Sequence, residues 1–214
     1  MRYRGCWLLS DSEGRRRTVD QDDERRLAER LRAGDESAFD LIYEAYRHRL
    51  FAFLVRLTRN RDVAEALLEE TWVRLVGRID TLRDDTRLGA WLFAVARNLF
   101  LSYHRSQEIA GGMTDDAGEP ADVVAPGPSP FDTTAERQLA DRLERGLAAM
   151  PVSYREALLL VGVHGLTPSE AAAVCDVRPE ALRQRLARAR RMLAEWLRGQ
   201  VGTDEERRDQ RRIG

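Results

Sequence analysis

The sequence predicts an all-α chain, with two small helical domains joined by a flexible linker. Three observations lead there. Apolar residues recur three and four apart on both sides of one break. That break, residues 108–130, is crowded with Gly and Pro and holds no aromatic side chain. No segment shows the strict polar–apolar alternation of a half-buried strand.

Residues 1–23 are polar with an Arg run and are expected to form a disordered extension. The first domain is expected over 24–107. Leu27, Leu31, Phe39, Ile42, Tyr46, Leu50, Phe53, Leu54 and Leu57 keep helical spacing, interrupted at Gly34-Asp35, where Asp35 can cap the next helix. Amphipathic segments follow from Asp62 to Val76 and from Thr86 to about Arg105.

Residues 108–130 carry Gly111, Gly112, Gly118 and Gly127 with Pro120, Pro126, Pro128 and Pro130, and their charged residues are all acidic. Such a stretch buries too little apolar surface to offset chain entropy, so it is read as a flexible acidic linker. Fully extended it reaches roughly 75–80 Å; as a coil it averages about 27 Å.

The second domain is expected over 131–200, ahead of a disordered tail at 201–214. Three capping boxes announce its helices: Thr133…Glu136, Ser153…Glu156 and Thr167…Glu170. Leu139, Leu143, Leu147 and Met150 mark the first helix, which Pro151 stops. A second runs from Tyr154 to about Val163 and a third from Pro168 to Cys175. After an Asp176-Val177-Arg178 turn, a long fourth helix starts at Pro179 and ends near Arg198.

The last two of these helices and their turn match a helix-turn-helix, with Asp176 where a left-handed residue is often needed. On the final helix Leu182, Leu186, Ala189, Leu193 and Leu197 form a core stripe. Arg183, Gln184, Arg185, Arg188 and Arg191 are the candidate DNA-reading residues, because Arg and Gln bond guanine and adenine edges bidentately in the major groove. Between Thr86 and Arg105, Leu88, Trp91, Leu92, Val95 and Leu99 are expected to be core. Phe93, Arg97, Phe100 and His104 share the opposite face: either its aromatic and basic residues stack on unpaired bases beside phosphate, or Phe93 and Phe100 pack on a neighbouring helix while Arg97 and His104 reach outward.

Bulk properties exclude other classes. The chain has 214 residues, a formal net charge of −1 and no Lys. No apolar run approaches the roughly 20 residues of a membrane helix, so no membrane insertion is expected. The Cys6-Trp7-Leu8-Leu9 run is too short for a signal-peptide core, and Cys6 and Cys175 are the only cysteines, so a cytoplasmic location is expected. There is no phosphate-cradling Gly loop, no zinc-protease motif and no nucleophile set beside a base. His48 and His164 have no Cys or carboxylate at ligand spacing. No catalytic residue, metal or cofactor is expected.

The ordered motifs resemble the extracytoplasmic-function (ECF) branch of the sigma-70 family. Ala33-Gly34-Asp35 with Ala38-Phe39 resembles the start of that family's region 2. Asp62-Val63-Ala64-Glu65 through Glu70-Thr71-Trp72-Val73-Arg74-Leu75 resembles its polymerase-contact helix, and Trp91-Leu92 with Ala96-Arg97-Asn98-Leu99 its promoter-melting helix. Met150-Pro151, Arg155-Glu156-Ala157-Leu158-Leu159-Leu160, Gly165-Leu166-Thr167 and Arg185-Leu186-Ala187-Arg188-Ala189-Arg190 resemble region 4.

The resemblance implies a non-enzymatic factor that binds core RNA polymerase and promoter DNA at initiation. Region 2 then binds the β′ coiled coil and opens the minus-ten element; region 4 binds the β-flap and reads the minus-thirty-five element. It adds Asn98 to the region 2 candidates. Glu65, Ala66, Glu69 and Val73, off the inward Ala64, Leu68, Thr71 and Leu75 stripe, become the polymerase-binding surface. The family usually has Asp and Gln where this chain has Ala66 and Glu69. An anti-sigma factor commonly holds such proteins inactive. The competing function is a stand-alone helix-turn-helix transcriptional regulator.

Overall fold

A computed structural model describes residues 21–83, 85–109, 111 and 134–210, with side chains placed over 22–83, 85–109 and 137–199. Among these residues every regular element is helical. Thr133 and nearly all of the linker lie outside them, as do residues 1–20 and 211–214, and Glu136 precedes the placed side chains, so the Thr133…Glu136 box falls outside what is described.

Helix α1, Gln21–Arg32, carries Asp22, Asp23 and Glu24 in its first turn and Arg30 and Arg32 in its last, matching the helix dipole at both ends. It starts at Gln21, within the stretch expected to be disordered. Gly34 turns the chain at φ +82°, and Asp35 caps α2 (Glu36–Thr58) by accepting from the Ser37 N–H. Arg59 ends α2 in a left-handed conformation, and the Asn60 side chain accepts from Val63 N–H to cap α3, Arg61–Arg78. A 3₁₀ turn over Ile79–Thr81 leads to α4, Leu88–Ile109.

The remaining helices are α5 (Thr134–Ala148), α6 (Val152–Leu158, continuing as a π-helical turn over Leu159–Val163), α7 (Pro168–Cys175) and α8 (Pro179–Gln210). Thr167 forms the expected capping box with Glu170, and Asp176 adopts φ 54°, ψ 50°, the left-handed turn expected of it. Two expectations fail here. Ser153 is not the cap, because α6 begins two residues earlier than expected, at Val152 behind Pro151. Helix α8 continues to Gln210, well beyond Arg198.

Arg155, in the first turn of α6, donates to the carbonyls of Leu147, Ala148 and Met150 at 2.8–2.9 Å. These carbonyls lie in the last turn of α5 and just beyond it, where the helix offers them no i+4 donor; the buried guanidinium gathers all three, and Leu147 also accepts from the Met150 N–H at 3.2 Å.

Helices α1–α4 form one bundle and α5–α8 a second, and α4 packs on α7 while α2 meets α6. One apolar cluster runs through both, from Ile42, Phe53 and Phe93 to Leu160, Ala172 and Leu182. The two halves therefore share a core in this conformation.

Candidate nucleic-acid interface

Helix α8 turns the first part of its predicted stripe inward, while Leu193 and Leu197, also expected in the core, are only half-buried. Leu182, Leu186 and Ala189 are buried. Arg183, Gln184, Arg188 and Arg191 are exposed on its far side, and Arg185 is half-buried. Arg183 pairs with Glu180 at 3.3 Å. Arg188 donates to the Tyr154 hydroxyl of α6 at 3.2 Å, a bond that raises its pKa further. An exposed Arg/Gln face, second helix of a helix-turn-helix, has the form that enters a major groove.

Helix α4 takes the second of the two readings of its Phe93–His104 face and shifts the expected core face. Phe93 is 0 % and Phe100 2 % exposed, so neither belongs to an open stacking surface. The core face runs through Leu88, Leu92, Phe93, Ala96 and Phe100, while Trp91, Val95 and Leu99 are only half-buried. The reason is that α4 is apolar on two sides and covered on two sides. Phe93 meets Phe53 of α2 edge-on at 5.3 Å and His164 at 4.8 Å. His104 lies edge-on to Phe100 at 5.8 Å, with Nδ1 3.3 Å from Glu108. Asn98 is exposed. Arg97 reaches out of the bundle and pairs with Glu156 of α6 at 2.9 Å.

On α3, Ala64, Thr71 and Leu75 point inward as expected, joined by Trp72, whose ring lies 5.1 Å from that of Tyr43. Leu68 is half-buried. Glu65, Ala66, Glu69 and Val73 are all exposed. Val76 and, on α2, Leu41 add exposed apolar surface that the sequence reading passed over. Glu65 is held by Arg61 at 3.0 Å.

A third set of residues was not foreseen. Arg56 of α2 grips Glu144 of α5 with Nε 3.0 and 3.1 Å from the two carboxylate oxygens. Arg87 lies 3.1 Å from Glu170 of α7. Arg49 donates to the His164 carbonyl at 2.6 Å, and Arg155 donates back to the Arg56 carbonyl at 3.0 Å. With Arg97–Glu156 these make an interface in whose three ion pairs the N-terminal side supplies the cations and the C-terminal side the carboxylates, while Arg155 crosses the other way to a carbonyl. Burial is the largest influence on Glu156 and raises its pKa, with Arg97 opposing. Burial also drives the His164 pKa well down, and with the Glu156 charge it pushes the Cys175 thiol up to about 11. No sequence pattern flags the set, since its partners stand 59 to 115 residues apart.

Among the described residues no three His, Cys, Asp or Glu side chains gather as a metal site, and no helix is long and apolar enough to cross a membrane.

Residues 42–109 match the model of sigma-70 region 2, and residues 140–193 match that of sigma-70 region 4. The ECF RNA polymerase sigma factor EcfG of Rhodopseudomonas palustris is 34 % identical over 69 % of this chain and 78 % of its own length. The factor SigM of Bacillus subtilis is 30 % identical over 72 % of this chain and 91 % of its own. Among solved structures, the sigma factor RpoE of Bartonella quintana, in complex with the anti-sigma factor NepR, covers 75 % of this chain and 96 % of that one, with a TM-score of 0.61 and 27 % identity. CnrH in complex with the cytosolic domain of CnrY gives a TM-score of 0.62 at 22 % identity, covering 82 % of this chain and 97 % of that one, a likeness of fold. Matched in order across both helical halves, the chain belongs to the sigma-70 family, in its extracytoplasmic-function branch.

Proposed function

We propose that the chain acts as a cytoplasmic, non-catalytic initiation factor that binds core RNA polymerase and directs it to promoter DNA, with its roles divided among three helices. The exposed α3 surface of Glu65, Ala66, Glu69 and Val73 docks on the β′ coiled coil, where Val73, 65 % exposed, offers apolar area and the acids form a charged rim. The outer face of α8, Arg183, Gln184, Arg185, Arg188 and Arg191, reads duplex at the minus-thirty-five element. On α4, Arg97, Asn98 and His104 serve the minus-ten element. Phe93 and Phe100 hold α4 in its bundle.

The carrying observation is the α8 face, on which three arginines and a glutamine stand exposed opposite a buried Leu182–Leu186–Ala189 stripe. The two solved relatives quoted above are complexes with an anti-sigma factor and with the cytosolic domain of another protein. A partner of that kind fits this chain as an inhibitor. Family membership sets aside the stand-alone regulator. Reconstitution with core RNA polymerase on a genomic template, followed by sequencing of transcript starts, tests the proposal. New starts sharing an upstream element are expected, and an unchanged set of starts refutes it.

A further inference from the structure

The N-terminal bundle turns three arginines toward the C-terminal bundle, and a glutamate meets each. Arg56 finds Glu144, Arg87 finds Glu170 and Arg97 finds Glu156. Two of the pairs are desolvated. The side chains of Arg56 and Glu144 are 7 % and 14 % exposed, and those of Arg97 and Glu156 are 11 % and 2 %. Guanidinium recognises carboxylate and phosphate through the same planar fork of donors. An arginine held by a buried carboxylate is therefore unavailable to a phosphate.

The apolar part of the interface agrees. His164 packs against both Phe53 and Phe93, its ring centroid 5.7 and 4.8 Å from theirs, and α7 lies along α4. The covered surface thus includes the Arg97 side of the helix assigned to the minus-ten element. The α8 face stays open, with Arg183, Gln184 and Arg188 all exposed. One DNA-facing surface is accessible; on the other Arg97 is covered, while Asn98 stays exposed.

Distance points the same way. Resting on the functional reading above, the two halves must engage elements separated along a duplex that rises roughly 34–36 Å per turn. Two bundles sharing a core cannot straddle such elements.

We propose that Glu144, Glu156 and Glu170 form an internal binding surface for Arg56, Arg87 and Arg97, a substitute for the DNA backbone that keeps the free chain closed with Arg97 covered. Opening exchanges the carboxylates for external partners, phosphate at Arg97 above all. Buried pairs are screened less than surface ones, so the closed form withstands moderate salt. Breaking one pair by removing a single partner leaves an uncompensated charge, which favours separation and rehydration of both faces.

The test uses the full chain. Small-angle scattering gives the radius of gyration, about 17 Å for a compact chain of this length, somewhat more with extended termini. Glu144→Arg places like charges together and is expected to increase the radius by roughly a third. The exchange Arg56→Glu/Glu144→Arg, with the same net charge as the native chain, is expected to restore it. Glu144→Gln keeps the shape and is expected to give an intermediate radius, and it serves where Glu144→Arg unfolds by circular dichroism. Binding of a fluorescein-labelled random-sequence single strand, followed by anisotropy, should tighten severalfold in Glu144→Gln and return to the native level when Arg97→Ala is added.

A native chain that is already expanded overturns the proposal. So does a folded Glu144→Arg variant with an unchanged radius, or an exchange variant as expanded as the single one. The sigma-factor reading fails separately: variants that open as expected but redirect no transcript start with core polymerase refute that role and leave the closure standing.

Discussion

The Arg97 guanidinium of α4 stands 2.9 Å from the Glu156 carboxylate of α6, with 11 % of one side chain and 2 % of the other exposed. A buried pair contributes little net stability relative to a well-packed apolar substitute, yet losing one member is expensive.

Arg97→Ala is therefore expected to destabilise the chain by up to about 3–5 kcal/mol, with a smaller loss to the extent that the helices separate and Glu156 regains water. Arg97→Met combined with Glu156→Leu is expected to recover most of that loss. Urea unfolding of the three proteins reads the difference. An Arg97→Ala variant as stable as the native chain contradicts the pairing.

Phe100→Ala removes a ring that is 2 % exposed, and its expected cost is about 3–5 kcal/mol of stability. Transcription from a duplex promoter and from one already mismatched across the minus-ten region should then fall together. A defect confined to the duplex template, with an unchanged melting curve, would return Phe100 to base stacking.

His164 sets a pH dependence. Burial, with the charges of Arg49 and Arg56, holds its folded-state pKa well below the ordinary 6.5. Between the two values the unfolded chain binds a proton that the folded chain refuses, so stability rises with pH in that window. The contribution is complete above about 6.5 and declines as pH falls, by up to about 1.4 kcal/mol per pH unit. His164→Phe is expected to flatten the stability profile between pH 6.5 and the acid limb. A variant with the native slope places the titration elsewhere.

On α8, Arg188→Ala and Gln184→Ala are expected to leave the melting curve unchanged, since neither joins the buried stripe. Each true base contact should cost about 1–3 kcal/mol of promoter affinity and relax preference at one base pair. Tyr154→Phe, which removes the hydroxyl that Arg188 donates to, should weaken the same base preference less. Uniform loss on every sequence would make these residues phosphate contacts.

Ala66→Arg on the exposed side of α3 is expected to reduce affinity for core polymerase. Glu65→Gln and Glu69→Gln should alter mainly the association rate and its salt dependence, as rim charges do. Unchanged affinity in Ala66→Arg moves the interface off this surface.

Local chemistry was legible in the sequence. Asp35, Thr167 with Glu170, and Asp176 each occupy the conformation that their residue types predict, because caps and turns are settled within four or five residues. The outward face of α8 was legible because one unbroken Leu stripe orients it. Helix α4 was not, since spacing reveals two apolar faces but not what covers each. Glu156 shows the same limit: its position suits a capping box with Ser153, but a guanidinium 59 residues earlier in the chain takes the carboxylate. Beyond Leu197 only Val201 keeps the apolar spacing of α8, too little to mark a continuation to Gln210, which the good helix formers Glu and Arg among its last residues favour.

Glu170 divides its labour between its two oxygens. Oε2 accepts from the backbone N–H and hydroxyl of Thr167, both at 2.8 Å, while Oε1 faces Arg87 at 3.1 Å. Swinging Arg87 away thus costs α7 none of its own N-terminal bonds. In the proposed opening the first helix of the DNA-reading motif leaves its neighbour with its own cap intact, so the parting of surfaces, rather than the remaking of that helix end, is expected to set the speed.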